Sequence, residues 1–174
     1  MSHRLIDAFV ITGLSLAAMG PRLVAQTIAA DDQSAAKAEI RNQVNRYMQS
    51  VDDADTTLGA QVWSATPDVT FSEPTGHERG WDQIAAVVYG KLMGATFSKR
   101  TLKTVGEVSI HVYANAAVAE YDWDFVATLR SDGKTVVHTT GRESQVYVNL
   151  QGQGWRLVHV HYSGPPVSEP GGPS

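Results

Sequence analysis

Apolar residues recur at helical spacing early in the chain and at a spacing of two later on. Ile40, Val44, Tyr47, Met48 and Val51 fall on one stripe, while Arg41, Asn42, Asn45 and Arg46 fall off it. This predicts an amphipathic helix of about 18 residues. Asp31 to Ser34 supply capping side chains at its start, and Asp52-Asp53-Ala54-Asp55 ends it. Thr56 to Trp63 reads as a short second helix, with Leu58 and Val62 one turn apart. A strand, Val69–Ser72, and a polar loop, Glu73–Gly80, follow. Trp81 to Met93 is predicted as a third helix, with Ile84, Val87, Val88 and Leu92 on one side. From Phe97 the period becomes two, giving four long strands: Leu102–Tyr113, Ala116–Leu129, Thr135–Leu150 and Trp155–Ser163. Ser131-Asp132-Gly133-Lys134 is a hairpin turn, because Asp-Gly suits positive φ. Asn115 and the pair Gly152/Gly154 mark two more hairpins. Helices first and a meander afterwards predict an α+β fold, with helices covering one face of a curved antiparallel sheet.

The alternation assigns faces. Ala119, Tyr121, Trp123, Phe125 and Ala127 share one, expected in the core or at a subunit interface. With helices on only one sheet face, this much apolar surface predicts a homodimer. Glu120, Asp122 and Asp124 share the other face, within cross-strand reach of Lys99, Arg100 and Lys103. On the last strand, strict alternation puts Leu157, His159 and His161 on one face and Val158, Val160 and Tyr162 on the other. Two imidazoles on one face could hold a metal, but the candidate third ligands His77, His111, Glu120 and Asp122 lack diagnostic spacing. No metal and no cofactor is expected. The histidines are expected to line a pocket or tie elements together, and Trp63 and Trp81 to pack its wall.

A chain of 174 residues suits one domain with a substantial core. Arg4, the apolar run Ala8–Met19 and the small residues of Val24–Ala30 read as a secretory signal peptide over residues 1–30, cut between Ala25 and Ala30. The expected location is periplasmic or secreted, with no membrane association after cleavage. The domain is then residues 31–166. Residues 167–174, rich in Pro and Gly, form an expected disordered tail. The absence of cysteine excludes disulfides, lipoprotein attachment and thiol catalysis. The net charge of −4 becomes more negative when Arg4, Arg22 and Asp7 leave with the leader, which argues against nucleic acid as a partner. There is no phosphate loop, no H-E-x-x-H and no serine nucleophile motif.

Two segments carry a resemblance. The terminal stretch Val158-His159-Val160-His161-Tyr162-Ser163-Gly164-Pro165-Pro166 resembles the closing strand of the SnoaL-like and kinase-association branches of the nuclear transport factor 2-like superfamily. Val69-Thr70-Phe71-Ser72-Glu73-Pro74-Thr75-Gly76-His77-Glu78-Arg79-Gly80-Trp81 resembles the family's strand, acid-Pro-x-Gly loop and Gly-Trp helix entry. The resemblance spans residues 35–166. It implies a cone with one deep pocket, three N-terminal helices on the curved sheet, and a small organic ligand. Ketosteroid isomerases share that fold. By their pattern Arg46-Tyr47 matches the oxyanion tyrosine and Glu73-Pro74 the catalytic carboxylate. Their third element, a protonated acid on the next-to-last long strand, has only Glu143 to replace it. In the kinase-association branch arginines give the pocket cationic character. Here Asp122 and Gln145 stand near those positions, with Arg142 the nearest substitute. The expected ligand-contacting set is therefore Trp63, His77, Trp81, Asp122, Arg142, His159 and His161, with Glu73 and Tyr47 as the catalytic pair. Three functions stay open: ligand binding without catalysis, a cofactor-independent isomerase or cyclase, and an oligomerisation module.

Overall fold

A computed structural model describes residues 21–164, with side chains from residue 31. Most of the expected leader and the tail 167–174 lie outside the described residues. The elements are α1 (Pro21–Asp53), α2 (Thr56–Val62), β1 (Thr70–Glu73), β2 (Gly76–Arg79), α3 (Trp81–Ile84) running on as a π-helix (Ala85–Ala95), β3 (Phe97–Tyr113), β4 (Ala116–Leu129), β5 (Val136–Leu150) and β6 (Gly154–Ser163). The strands form one sheet in the order β2-β1-β6-β5-β4-β3. All pairings are antiparallel except β1 with β6, which are parallel. Three helical segments pack on one face of this curved, unclosed sheet, so the fold is α+β, as the resemblance implies. No described helix is long and apolar enough to cross a membrane.

Four local features depart from the sequence pattern. First, α1 begins at Pro21, ten residues ahead of the expected cap. Val24 to Ala30 contains no Gly or Pro to break the helix. Second, the polar loop folds into a hairpin, pairing Glu73 with Gly76 and Phe71 with Glu78. Glu73-Pro74-Thr75-Gly76 has Pro and Gly where a tight turn favours them. Third, the third helix widens into a π-helix. Hydrogen bonding to the fifth residue stretches its period, so Val88 and Tyr89 are buried and Val87 is not. Fourth, β6 carries a bulge. Val146 pairs with His159, but Tyr147 pairs with Leu157, leaving Val158 unpaired.

That bulge reverses the predicted faces of the last strand. Leu157 is buried with Val160, and Tyr162 points the same way, while His159 and His161 turn outward. The reason is burial: the alternative register would bury two imidazoles and expose Val160 and Tyr162. On β4, Tyr121, Trp123 and Phe125 point inward and are buried, so they belong to the core. Arg100 also departs from expectation. Its Nε donates to Val51 O (3.2 Å) and Asp52 O (2.8 Å), and its Nη1 to Met93 O (2.8 Å) and Phe97 O (2.7 Å). It thereby closes the C-terminal ends of α1 and the π-helix onto β3. Glycine is required at Gly59, where a Cβ would come within 2.6 Å of Trp81 Cη2 and 3.0 Å of Tyr89 Cζ.

Candidate functional site

The inner sheet face and the helices enclose a cavity of about 400 Å³. Its helical wall comes from Tyr47 and Val51 of α1 and from Val88, Leu92 and Met93 of the π-helix. The spacing of four and five between those π-helix residues suits its wide turn. The sheet contributes a row of side chains that cross-strand pairing places side by side. Phe71↔Val160 and Ser72↔His161 put Glu73 of β1 beside Tyr162 of β6; Tyr162 pairs with Glu143 of β5, and Glu143 with Tyr121 of β4. Carboxyl and phenol alternate along this row. Tyr162 OH donates to Glu73 Oε2 (3.2 Å), and Tyr121 OH donates to Glu143 Oε1 (2.7 Å).

Glu143 is the chemically distinctive group. It is 3 % exposed, and burial pushes its carboxyl up to about 7 even though hydrogen bonds from Tyr121, Gln145 and Tyr47 favour the ionised form. A relay along β5 holds it. Tyr147 OH donates to Gln145 Oε1 (2.5 Å), and Gln145 Nε2 donates to Glu143 Oε1 (2.6 Å) and to Tyr121 OH (2.9 Å). These side chains are two residues apart on one strand, so all face inward. The Tyr121 and Gln145 bonds both end on Oε1, and the carboxyl lines the cavity. Burial, and next the nearby Glu143 charge, raise the Tyr47 phenol well above its usual value, so it is a donor and not a phenolate at neutral pH. Trp123, also in the wall, is seated over Gly141, where a Cβ would come within 2.5 Å of Trp123 Cζ2. Its indole N–H is buried without a partner among the described residues.

Of the nine residues expected from the sequence, Tyr47 and Glu73 reach the cavity. Glu73 is engaged by Tyr162, and Tyr47 stands by Glu143. Trp63 and Trp81 pack behind the wall. Their rings lie 6.5 Å apart, Trp63 Nε1 donates to Tyr89 OH (3.3 Å), and Tyr89 OH meets Ser50 Oγ (2.9 Å). The other five lie on the outer sheet face. His77 Nδ1 meets Ser72 Oγ (3.0 Å), His159 Nδ1 meets Thr70 Oγ1 (2.7 Å), and Arg142 Nε donates to Asp122 Oδ1 (3.0 Å). His161 is exposed on the same side. The parity set by the Val158 bulge turns His159 and His161 outward, and simple alternation does so for Asp122 and Arg142. Among the described residues, no group of three or more His, Asp or Glu side chains is arranged to hold a metal.

Sequence reasoning missed Tyr162, Trp123 and Gln145 as site residues and left the face of Glu143 unassigned. One signal was present: Glu143, Gln145 and Tyr147 alternate with Ser144 and Val146, and Tyr147 is a strong candidate for burial.

The SnoaL-like domain model matches residues 32–161. Among curated proteins none matches. A solved nuclear transport factor 2-like superfamily protein from Salmonella enterica serovar Typhimurium is 54% identical, with a TM-score of 0.77, covering 82% of this chain and 99% of that one. A proposed dehydratase of the same fold family from Streptomyces avermitilis is 14% identical, with a TM-score of 0.67, covering 77% of this chain and 99% of that one. A hexachlorocyclohexane dehydrochlorinase is 13% identical, with a TM-score of 0.64, covering 82% of this chain and 97% of that one. These last two share the fold. Helical order, sheet topology, the inner-face cavity and the domain match together place this chain in the SnoaL-like domain family of the nuclear transport factor 2-like superfamily.

Proposed function

We propose that the protein binds a small, mostly apolar organic molecule in the inner-face cavity, with a polar group of that molecule held at Glu143. The observation that carries this is a buried, hydrogen-bonded carboxyl set in a mostly apolar and aromatic wall. Such cavities, with few convergent polar groups, are the usual form of small-molecule sites. Native mass spectrometry of protein isolated from its own host should show a bound mass that denaturation releases. Glu143→Gln should lower its occupancy without loss of fold. Ligand-free protein, together with unchanged binding of every small apolar compound in the variant, would overturn the reading.

The near-neutral carboxyl supports a second reading, acid–base catalysis. A group that titrates about 7 exchanges protons readily at neutral pH. Dehydration and dehydrochlorination, the reactions named for two proteins of this fold, both remove a proton from carbon. In this reading Glu143 and Tyr47 form the acid–base and donor pair, and Glu73 with Tyr162 forms a second polar station. The isomerase reading with Glu73 as base uses the same cavity. A pH–rate profile separates them: a limb near 7 that Glu143→Gln abolishes and Glu73→Gln keeps assigns the proton transfer to Glu143.

The terminal-strand likeness to kinase association domains supports kinship at that strand only, since of the two positions nearest that branch's arginines Asp122 lies on the outer sheet face and Gln145 is bonded to Glu143. We further propose export with leader removal and pairing of two copies through the outer sheet face. The outer face supports pairing in two ways. It carries the four exposed large apolar residues of the described part, Val105, Tyr113, Val126 and Val136. It also sets an acidic column, Glu120, Asp122 and Asp124, apart from His77 of β2 and His159 and His161 of β6, a self-complementary pattern for a two-fold axis.

A further inference from the structure

We propose that the cavity selects an organic cation, an amine or ammonium group carried on an apolar body. This rests on the reading of the cavity as a ligand site and names the class of ligand. Three observations carry it.

The first is the charge of the lining. Glu73 and Glu143 both line the cavity, and among the described residues no Lys, Arg or His does. An anionic ligand would enter a low-dielectric space with two carboxyl groups and no counter-charge.

The second is the aromatic wall between those carboxyls. The Tyr162 ring stands 5.6 Å from Trp123 at 75° and 5.9 Å from Phe71 at 56°. All three rings line the cavity, and Tyr162 is the residue that cross-strand pairing sets between Glu73 and Glu143. Inclined rings with electron-rich faces, flanked by carboxylates, are the arrangement that attracts alkylammonium groups.

The third is Glu78, behind Glu73. A Cβ on Gly76 would lie 3.1 Å from Glu78 Oε1 and 3.3 Å from Glu73 Oε1, so the two carboxyls flank one point. Glu78 is 6 % exposed, and its Oε2 is buried with no partner among the described residues. Burial and then the Glu73 charge raise its pKa. Two carboxyls this close, one with an unanswered oxygen, are stabilised by a cation arriving beside them.

The test uses three probes of nearly one shape and different charge: 2-phenylethylamine, 2-phenylethanol and phenylacetate. Their dissociation constants are measured at pH 7.5 by calorimetry and by quenching of tryptophan fluorescence. The amine should bind about tenfold or more tightly than the alcohol, and phenylacetate most weakly. In Glu73→Gln the ratio of amine to alcohol affinity should shrink. Alcohol binding equal to or tighter than amine binding overturns the cation preference and leaves the ligand-site reading standing. Phenylacetate binding as well as the amine overturns it too. If no probe gives heat or quenching, the cation preference is overturned, and native mass spectrometry decides the ligand-site reading separately. The comparison on the unaltered protein is decisive even if the variant does not fold.

Discussion

Glu143 is the residue whose environment has the clearest energetic consequence. Its folded pKa is raised from 4.5 to about 7 by burial. Between those values the folded chain keeps a proton that the unfolded chain has lost. Stability from this group is therefore full below about 4.5, falls as pH rises, and levels off above about 7. Two and a half units correspond to about 3 kcal/mol. Glu143→Gln carries no such titration, so its stability relative to the parent should rise between pH 5 and pH 8. Urea denaturation at the two pH values measures this, and a difference independent of pH would refute it. The identity of this residue was visible in the sequence, but its setting was not. That a carboxyl on β5 faces Tyr47 depends on how five strands register, and no local pattern reports register. Tyr47 was legible because it sits on a clean helical stripe. Glu73 was legible because it precedes Pro74 at a strand end.

Arg100 shows how elements are joined. Alternation along β3 marked it as a surface cation facing the acids of β4. Its guanidinium instead takes four carbonyls, from α1, the π-helix and β3 itself. Asp52 adds a second tie, accepting from Leu102 N (2.6 Å). Removing the guanidinium while keeping the stem, as in Arg100→Met, leaves partly buried carbonyls unanswered. A loss of about 2–4 kcal/mol is expected, from two or more charge-assisted bonds. Thermal melts should show it as a drop in Tm, and an unchanged Tm would mean that water replaces the guanidinium fully. Element existence and order were legible because they follow hydrophobic period, and all four long strands appear, the first of them starting five residues earlier, at Phe97 instead of Leu102. The β1–β2 hairpin, the π-helix and the Val158 bulge were not. Each is a departure from uniform period, which a pattern search averages away.

At the scale of the whole molecule, the two sheet faces have separate characters. The inner face is aromatic with buried acids. The outer face carries all five histidines of the described residues: His77, His111, His138, His159 and His161. It also carries the ion pairs Arg142–Asp122 and His138–Asp124 (2.6 Å). Pairing through this outer face predicts a dimer in light scattering at micromolar concentration that weakens as salt rises, because opposed charges at an interface are screened. A monomer at low salt would contradict it. The sequence pointed to a dimer through Tyr121, Trp123 and Phe125, which the fold instead spends on its core. Apolar content alone does not say which side of a sheet the helices will cover.

The bulge at Val158 has a consequence for how kinship is read. Upstream of it odd-numbered residues of β6 face the inner side of the sheet, and downstream even-numbered ones do. Parity is thus a property of each half-strand and not of the whole. A relative that keeps the same V-H-x-H letters and chain length, but pairs its last strand without the irregularity, would aim both imidazoles at its ligand and turn its phenol to solvent. Its chamber would be basic where this one is acidic. Letters inherited in common therefore do not carry their address with them, and two members of one family can share a motif while presenting opposite chemistry to what they bind.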